Sequence, residues 1–323
     1  MAKYKEIHGS KIQNFTTNPD NPIEGQVWYN ENDGNWKGFL TSTAGTWATA
    51  GGLNTARAEH GNTGTQTASL VVAGSPGTKV NVEQYNGSAW TEIADINTGR
   101  YDIRSAGTTT AAIAFGGRTA APADTGDTES WDGSSWTEVS NMNTARNAFV
   151  GDGANDSAMA VGGETGGSPT PNAETWNGSS WTEVGNLNRG TGRKVASGVG
   201  ASNSAFLFFG GFIPANSALC ESWNGSSWTE VGDLNTAKRG SAGVGIYTAA
   251  LCAGGAEPPG ATANTEQWNG TAWTEVNNLS LARNNFGGCG TTTAGLVTGG
   301  GSPGTGCEEW TSPSSSTVTF TSS

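Results

Sequence analysis

The chain has 323 residues, of which 50 are glycine and 14% are charged, with a formal net charge of −12. That balance excludes non-specific nucleic-acid binding, which needs a basic surface to meet phosphates. Low charge with 13 regularly placed tryptophans excludes charge-driven disorder and points to a packed core.

Residues 1–18 carry Lys3, Lys5 and Lys11 with little apolar pattern and read as an arm. Residues 1–12 lack the apolar stretch of a secretory signal, and no run reaches the length of a membrane span. Two short strands are expected next, at residues 27–29 and 36–40, around the turn Asn32-Asp33-Gly34. The motif Gly25-Gln26-Val27-Trp28-Tyr29-Asn30, a turn, then Lys37-Gly38, preceded by Pro19 and Pro22, resembles a short module found near the start of bacteriophage tail-fibre and other virion proteins. The resemblance covers about twenty residues and implies attachment to a particle. Residues 1–44 are therefore expected to form an attachment module, and residues 45–323 a separate β domain with a C-terminal tail.

From Thr46 the sequence repeats. Its clearest phrase is Glu221-Ser222-Trp223-Asn224-Gly225-Ser226-Ser227-Trp228-Thr229-Glu230-Val231. Asn-Gly tolerates the positive φ of a hairpin turn, so the phrase predicts strand, tight turn, strand, with the two tryptophans meeting across the pair. The second tryptophan falls at Trp47, Trp90, Trp136, Trp181, Trp228 and Trp273, in steps of 43, 46, 45, 47 and 45 residues. Between successive phrases come a polar turn with arginine, a Gly/Ala-rich strand, and an apolar strand ending on glycines such as Gly162-Gly163. Four strands in some 45 residues make one blade of a β-propeller.

The order arginine, two strands ending Gly-Gly, loop, Glu-x-Trp, turn, Trp-Thr-Glu-Val resembles kelch repeats over roughly residues 46–310. Ala73-Gly74 departs from the Gly-Gly pair and Tyr85 from the first tryptophan. The repeat starts near Arg57, Arg100, Arg146, Arg193 (or Arg189), Lys238-Arg239 and Arg283. Trp47 is a fourth-strand residue with no blade before it, and Trp310 a third-strand residue with no successor. The prediction is an all-β, six-bladed kelch-like β-propeller of four-stranded antiparallel blades, closed by the strand near Trp47. The tail at residues 317–320 is the alternative closing strand, or an extra outer one.

One glutamate recurs per repeat: Glu83, Glu129, Glu174, Glu221, Glu266 and Glu308. Six equivalent groups do not make one active centre, which needs unlike groups converging on a point. They are expected to pair with the recurring arginines or with backbone. The Gly-Gly pairs precede no helix, so they are not phosphate loops. Cys220, Cys252, Cys289 and Cys307 follow no metal spacing and read as small buried strand residues. Their reduced state would suit folding in a cytoplasm.

Kelch-type propellers include copper radical oxidases, but the chain has only His8 and His60, so no metal or other cofactor is expected. Sialidases carry Ser-x-Asp-x-Gly-x-x-Trp turns, and Ser130-Trp131-Asp132-Gly133 has the wrong spacing. A non-enzyme is expected.

Binding is expected on the loops between second and third strands, which differ most between repeats: residues 75–79, 118–127, 164–172, 212–217, 256–264 and 301–306. Phe212 and Ile213 form an apolar tip with Pro214; Arg118, Asp124, Asp127, Glu164 and Glu257 offer polar contacts. The reading is a bacteriophage virion protein, a tail fibre, appendage or capsid-exposed part, assembled in the host cytoplasm. It would join virion subunits through residues 1–44 in a multimeric assembly and bind a host-surface glycan or protein, without nucleic acid or membrane insertion. The alternatives are an intracellular kelch-type adaptor and a sialidase-like glycan hydrolase.

Overall fold

The computed structural model describes residues 13–320 apart from 21, 24, 42–44, 122, 191, 302, 303 and 314. The lysine-bearing arm of residues 1–12 lies outside them. The chain divides into two units, residues 1–45 with 312–323, and residues 46–311.

Six four-stranded antiparallel sheets occupy the larger unit. Sheet I comprises Gly61–Thr65, Ala68–Val72, Val82–Tyr85 and Trp90–Ile93. Sheet II comprises Arg104–Gly107, Ala112–Phe115, Thr128–Trp131 and Trp136–Val139. Sheet III is Val150–Ala154, Ser157–Val161, Ala173–Trp176 and Trp181–Val184. Sheet IV is Ser197–Ser202, Ala205–Phe209, Cys220–Trp223 and Trp228–Val231. Sheet V is Ala242–Ile246, Ala249–Glu257, Gly260–Trp268 and Trp273–Val276. Sheet VI takes Gly287–Gly290, Ala294–Thr298 and Cys307–Thr311, and its fourth strand is Thr46–Ala50, paired antiparallel with Trp47 opposite Trp310.

The hairpins form as their sequence dictates. In sheet IV, Asn224 Oδ1 accepts the amides of Ser226 and Ser227 at 3.0 and 2.9 Å, and Gly225 takes φ 92°. This side-chain turn sets Trp223 opposite Trp228, their rings 5.4 Å apart. The rings then fill the space between neighbouring sheets. One apolar cluster, for example, joins Phe115 of sheet II to Phe149 and Trp181 near and in sheet III. Another joins Tyr85 and Trp90 of sheet I to Leu296 and Cys307 of sheet VI. Each fully buried tryptophan contributes several kcal/mol of apolar burial, on the order of 25 cal/mol per Å².

The Gly-Gly pairs hold one sheet to the next. Both residues of each pair have positive φ, and Ala73 accepts the same conformation at φ 58° where glycine is missing. The second glycine donates its amide to the carbonyl of the repeated cation in the following sheet: Gly74 to Arg100, Gly117 to Arg146, Gly163 to Arg193, Gly211 to Lys238 and Gly255 to Arg283, all at 2.9 Å. Gly300 of the last sheet donates to Arg57 beside the first, also at 2.9 Å. A side chain at Gly163 would sit 2.6 Å from the Phe149 Cβ, so the close approach itself requires glycine.

Each repeated glutamate is a buried hub. Glu83 accepts from Arg57 Nη2 at 2.5 Å and from the amides of Asn54 and Thr55 at 2.7 and 3.1 Å. Arg100–Glu129, Arg193–Glu221 and Arg283–Glu308 pair at 2.7, 3.2 and 2.9 Å, and Arg146 pairs with Glu174. Arg193, not Arg189, fills the position in the fourth repeat. In the fifth Lys238 does, 3.2 Å from Glu266, which leaves Arg239 free for another role.

Two expectations need correction. Six blades are predicted for the repeats; beyond the six sheets of the larger unit, the described residues form a seventh four-stranded sheet in the smaller unit and two two-stranded ribbons. The ribbons, Glu164–Thr165 with Ser168–Pro169 and Phe212–Ile213 with Ala215–Asn216, arise because the variable loops are long enough to pair with themselves. The tail, expected with the repeats, instead joins the smaller unit. There Ser315–Phe320 pairs antiparallel with Asn35–Thr41, in a sheet with Val27–Asn30 and Gln13–Phe15. In this sheet Trp28 is wholly buried, while Val27, Trp36 and Phe320 stay exposed.

Candidate functional site

In five of the six repeats the residue after the repeated cation bridges to the residue after the glycine pair: Ala58 with Ser75, Tyr101 with Arg118, Asn147 with Glu164, Lys194 with Phe212, and Arg239 with Ala256. The scaffold therefore brings the variable loops of successive sheets to one register, and their side chains differ sharply.

Three of the expected binding residues converge. Arg118 Nε lies 3.0 Å from Asp124 Oδ1, and Arg118 Nη2 lies 3.5 Å from Glu164 Oε1. Lys194 closes the chain by pairing with Glu164 Oε2. Asn147 Nδ2 and the Gly166 amide donate to Asp124 at 2.7 and 2.8 Å. Hydrogen bonding to Asp124 raises the Arg118 pKa, keeping it fully charged. Glu164 is not the exposed contact expected of it: it is buried, held between Arg118 and Lys194. The network crosses three consecutive sheets and fixes the loops of sheets II and III to the start of sheet IV.

Asp127 and Glu257 stand elsewhere. Asp127 Oδ1 accepts from Asn141 Nδ2 at 3.0 Å, across its own hairpin. Glu257 lies 3.6 Å from Lys238 Nζ, and its Oε1 is buried with no hydrogen-bond partner.

Phe212 and Ile213, expected as an apolar tip, form one strand of a ribbon, and both are half-buried. Arg239, freed by Lys238, stacks its guanidinium 4.7 Å from the centre of the Phe212 ring. On one side of the ribbon Phe212, Ile213, Pro214, Pro169 and Lys194 line a groove of about 520 Å³. On the other, Phe212, Pro214, Arg239, Glu257, Pro258 and Pro259 line one of about 400 Å³. Both combine apolar walls with one basic residue, Lys194 paired with Glu164 in the first and Arg239 stacked on Phe212 in the second, a composition suited to recognition.

The sequence reading missed Lys194 and Arg239, which occupy one repeat position and differ from its other occupants. It also missed a polar cavity to which the first strands of all six sheets contribute, lined by His60, Arg104, Asp152, Ser197 and Ser241 among others. Burial pushes the Asp152 carboxyl up to about 7, and burial with repulsion from Glu59 pushes that of Asp102 up to about 6. Comparing each repeat position across the six copies would have exposed these substitutions.

The described residues contain no group of three or more metal-ligating side chains, and no helix long and apolar enough to cross a membrane. No protein-family model and no curated protein matches the chain. Solved structures do. The chain is similar to the structure titled "Structure of YjhT", with a TM-score of 0.69 and 13% identity over 83% of this chain and 99% of that one. The likeness is one of fold, and it fits a kelch-like β-propeller.

Proposed function

We propose that residues 46–311 form a closed six-bladed propeller that acts as a binding scaffold without chemistry of its own, recognising its partner with the ribbon at Phe212–Asn216. The closure draws support from the Gly300–Arg57 bond, the Thr46–Ala50 pairing and the cluster shared by sheets VI and I. The observation that carries the binding reading is Phe212 under Arg239, flanked by two grooves with Lys194 and Arg239 at their edges. Such a surface suits a glycan or protein on a host cell: aromatic and proline walls take apolar or sugar faces, and the basic heads take hydroxyls or acids.

The smaller unit would attach the scaffold to a larger assembly, a bacteriophage particle. That placement is supported by the motif from Gly25 to Gly38. The test has two arms. Electron microscopy of the particle should show the protein anchored through the smaller unit. Purified protein should bind host envelope material, and Phe212→Ser should abolish that binding while the melting temperature holds. Binding unchanged in Phe212→Ser would remove the ribbon from the reading.

One observation favours a second reading, a glycan-acting enzyme. Burial first, and repulsion from Glu59 second, hold the Asp102 carboxyl up to about 6, within the range of a general acid. Release of sugar from envelope material, lost in Asp102→Asn, would establish it in place of the first.

A further inference from the structure

The cavity lined by the first strands is built from unlike parts. Four residues after the repeated cation stand Gly61, Val150, Ser197, Ala242 and Gly287, but in sheet II the residue is Arg104. One residue further on, Gly151, Gly198, Gly243 and Gly288 make a side-chain-free wall, while Asn62 and Ser105 break it. That wall is glycine by necessity: a Cβ on Gly288 would meet the Gly243 carbonyl at 2.6 Å, and one on Gly243 the Gly198 carbonyl at 2.7 Å. The glycines give part of the lining, and His60, Asn62, Arg104, Asp152, Ser197 and Ser241 bring polar side chains to it.

Arg104 differs from the five buried arginines of the repeat. Each of those has a carboxylate partner. Arg104 has none within 4.0 Å among the described residues. Its Nη1 donates to the Ile103 carbonyl at 2.8 Å, and Phe149 lies under one face at 5.9 Å. Asp102 and Glu59 act on it only from beyond ion-pair distance. Beside it His60 is 3% exposed; its Nε2 is bonded to Thr298 Oγ1 at 3.0 Å and its Nδ1 has no partner. Asp152 competes little for the arginine, because its two oxygens accept the amides of Gly153 and Gly200 at 2.8 and 3.0 Å.

We infer that this cavity binds a small tetrahedral oxyanion of the phosphate or sulfate class, with Arg104 as its counter-charge. A guanidinium in a confined site attracts an anion more strongly than one in water, and its fork matches two oxygens at once. The space suffices: the cavity measures about 70 Å³, where one water needs only about 10–15 Å³.

The test is calorimetric titration of the full-length protein with inorganic phosphate at constant ionic strength. Saturable binding is expected in the wild type, at least ten-fold weaker in Arg104→Gln and intermediate in Arg104→Lys, which keeps the charge and loses the fork. Absence of saturable binding in the wild type would overturn the inference, and this arm stands even where a variant fails to fold. Equal binding by wild type and a folded Arg104→Gln would overturn it too.

Discussion

The amide of Gly300 donates to the carbonyl of Arg57 at 2.9 Å, so the last repeated sheet is bonded to the residue that opens the first. The same bond recurs between every other consecutive pair of sheets. Because the fourth strand of sheet VI comes from the start of the repeat region, its stability depends on residues remote in sequence. Trp47 packs against Trp310 at 5.3 Å and against the cluster shared by sheets V and VI. Trp47→Ala is expected to cost about 2–3 kcal/mol, somewhat less than a fully buried tryptophan, measured by denaturant unfolding. An unchanged midpoint would mean that Thr46–Ala50 adds nothing to sheet VI.

The Glu–Arg hubs give a second prediction. Glu221 accepts from Arg193 at 3.2 Å and from the Asn188 amide at 2.7 Å, with both side chains buried. Neutralising the acid leaves a buried guanidinium unpaired. Glu221→Gln is expected to destabilise by roughly 3–5 kcal/mol, whereas Glu230→Gln on the exposed fourth strand should fall within about 0.5 kcal/mol. Equal, small effects in thermal melts would show that the pair contributes geometry alone.

Much of the scaffold was legible because the repeat states it six times. Hairpin turns follow from Asn-Gly and Asp-Gly, and the strand partner of Trp310 follows from the orphaned Trp47. The glycine pairs were legible as turns, but their role in joining sheets was not, since it depends on contacts to the next repeat. Loop structure was less legible. Nothing in residues 212–217 announces a ribbon, and the capture of Phe212 by Arg239 needs Lys238 to have taken the arginine's buried place. The cavity was invisible to a reading that sought regularity, because Arg104 and Asp152 are departures from the repeat.

The charge network of the loops is expected to hold their positions more than it adds stability. Arg118, whose side chain is 28% exposed, links Asp124 to Glu164. Arg118→Ala should lower stability by about 1 kcal/mol or less. It should nonetheless speed amide hydrogen exchange at Gly166, whose N–H donates to the Asp124 carboxylate that Arg118 orients. Unchanged exchange at Gly166 would show that Asp124 is positioned by Asn147 alone.

Asp152 sets the last prediction. Its carboxyl is held up to about 7, first by burial and against two backbone hydrogen bonds that favour the charged form. The folded state therefore binds the proton more tightly than the unfolded chain, in which an aspartate titrates near 3.9. A raised folded pKa contributes stability that is full below the unfolded value and is lost as pH rises through the folded one. Between pH 4 and 7 this group alone makes stability fall with rising pH, by on the order of 1 kcal/mol per pH unit at most. The buried carboxylates of the arginine pairs do not change with Asp152→Asn, so the comparison isolates this group. Melting curves at pH 5, 6, 7 and 8 should show the wild type losing stability relative to Asp152→Asn as pH rises, with the difference levelling off above pH 7. Parallel curves for the two proteins would show that Asp152 is ionised in the folded state throughout that range.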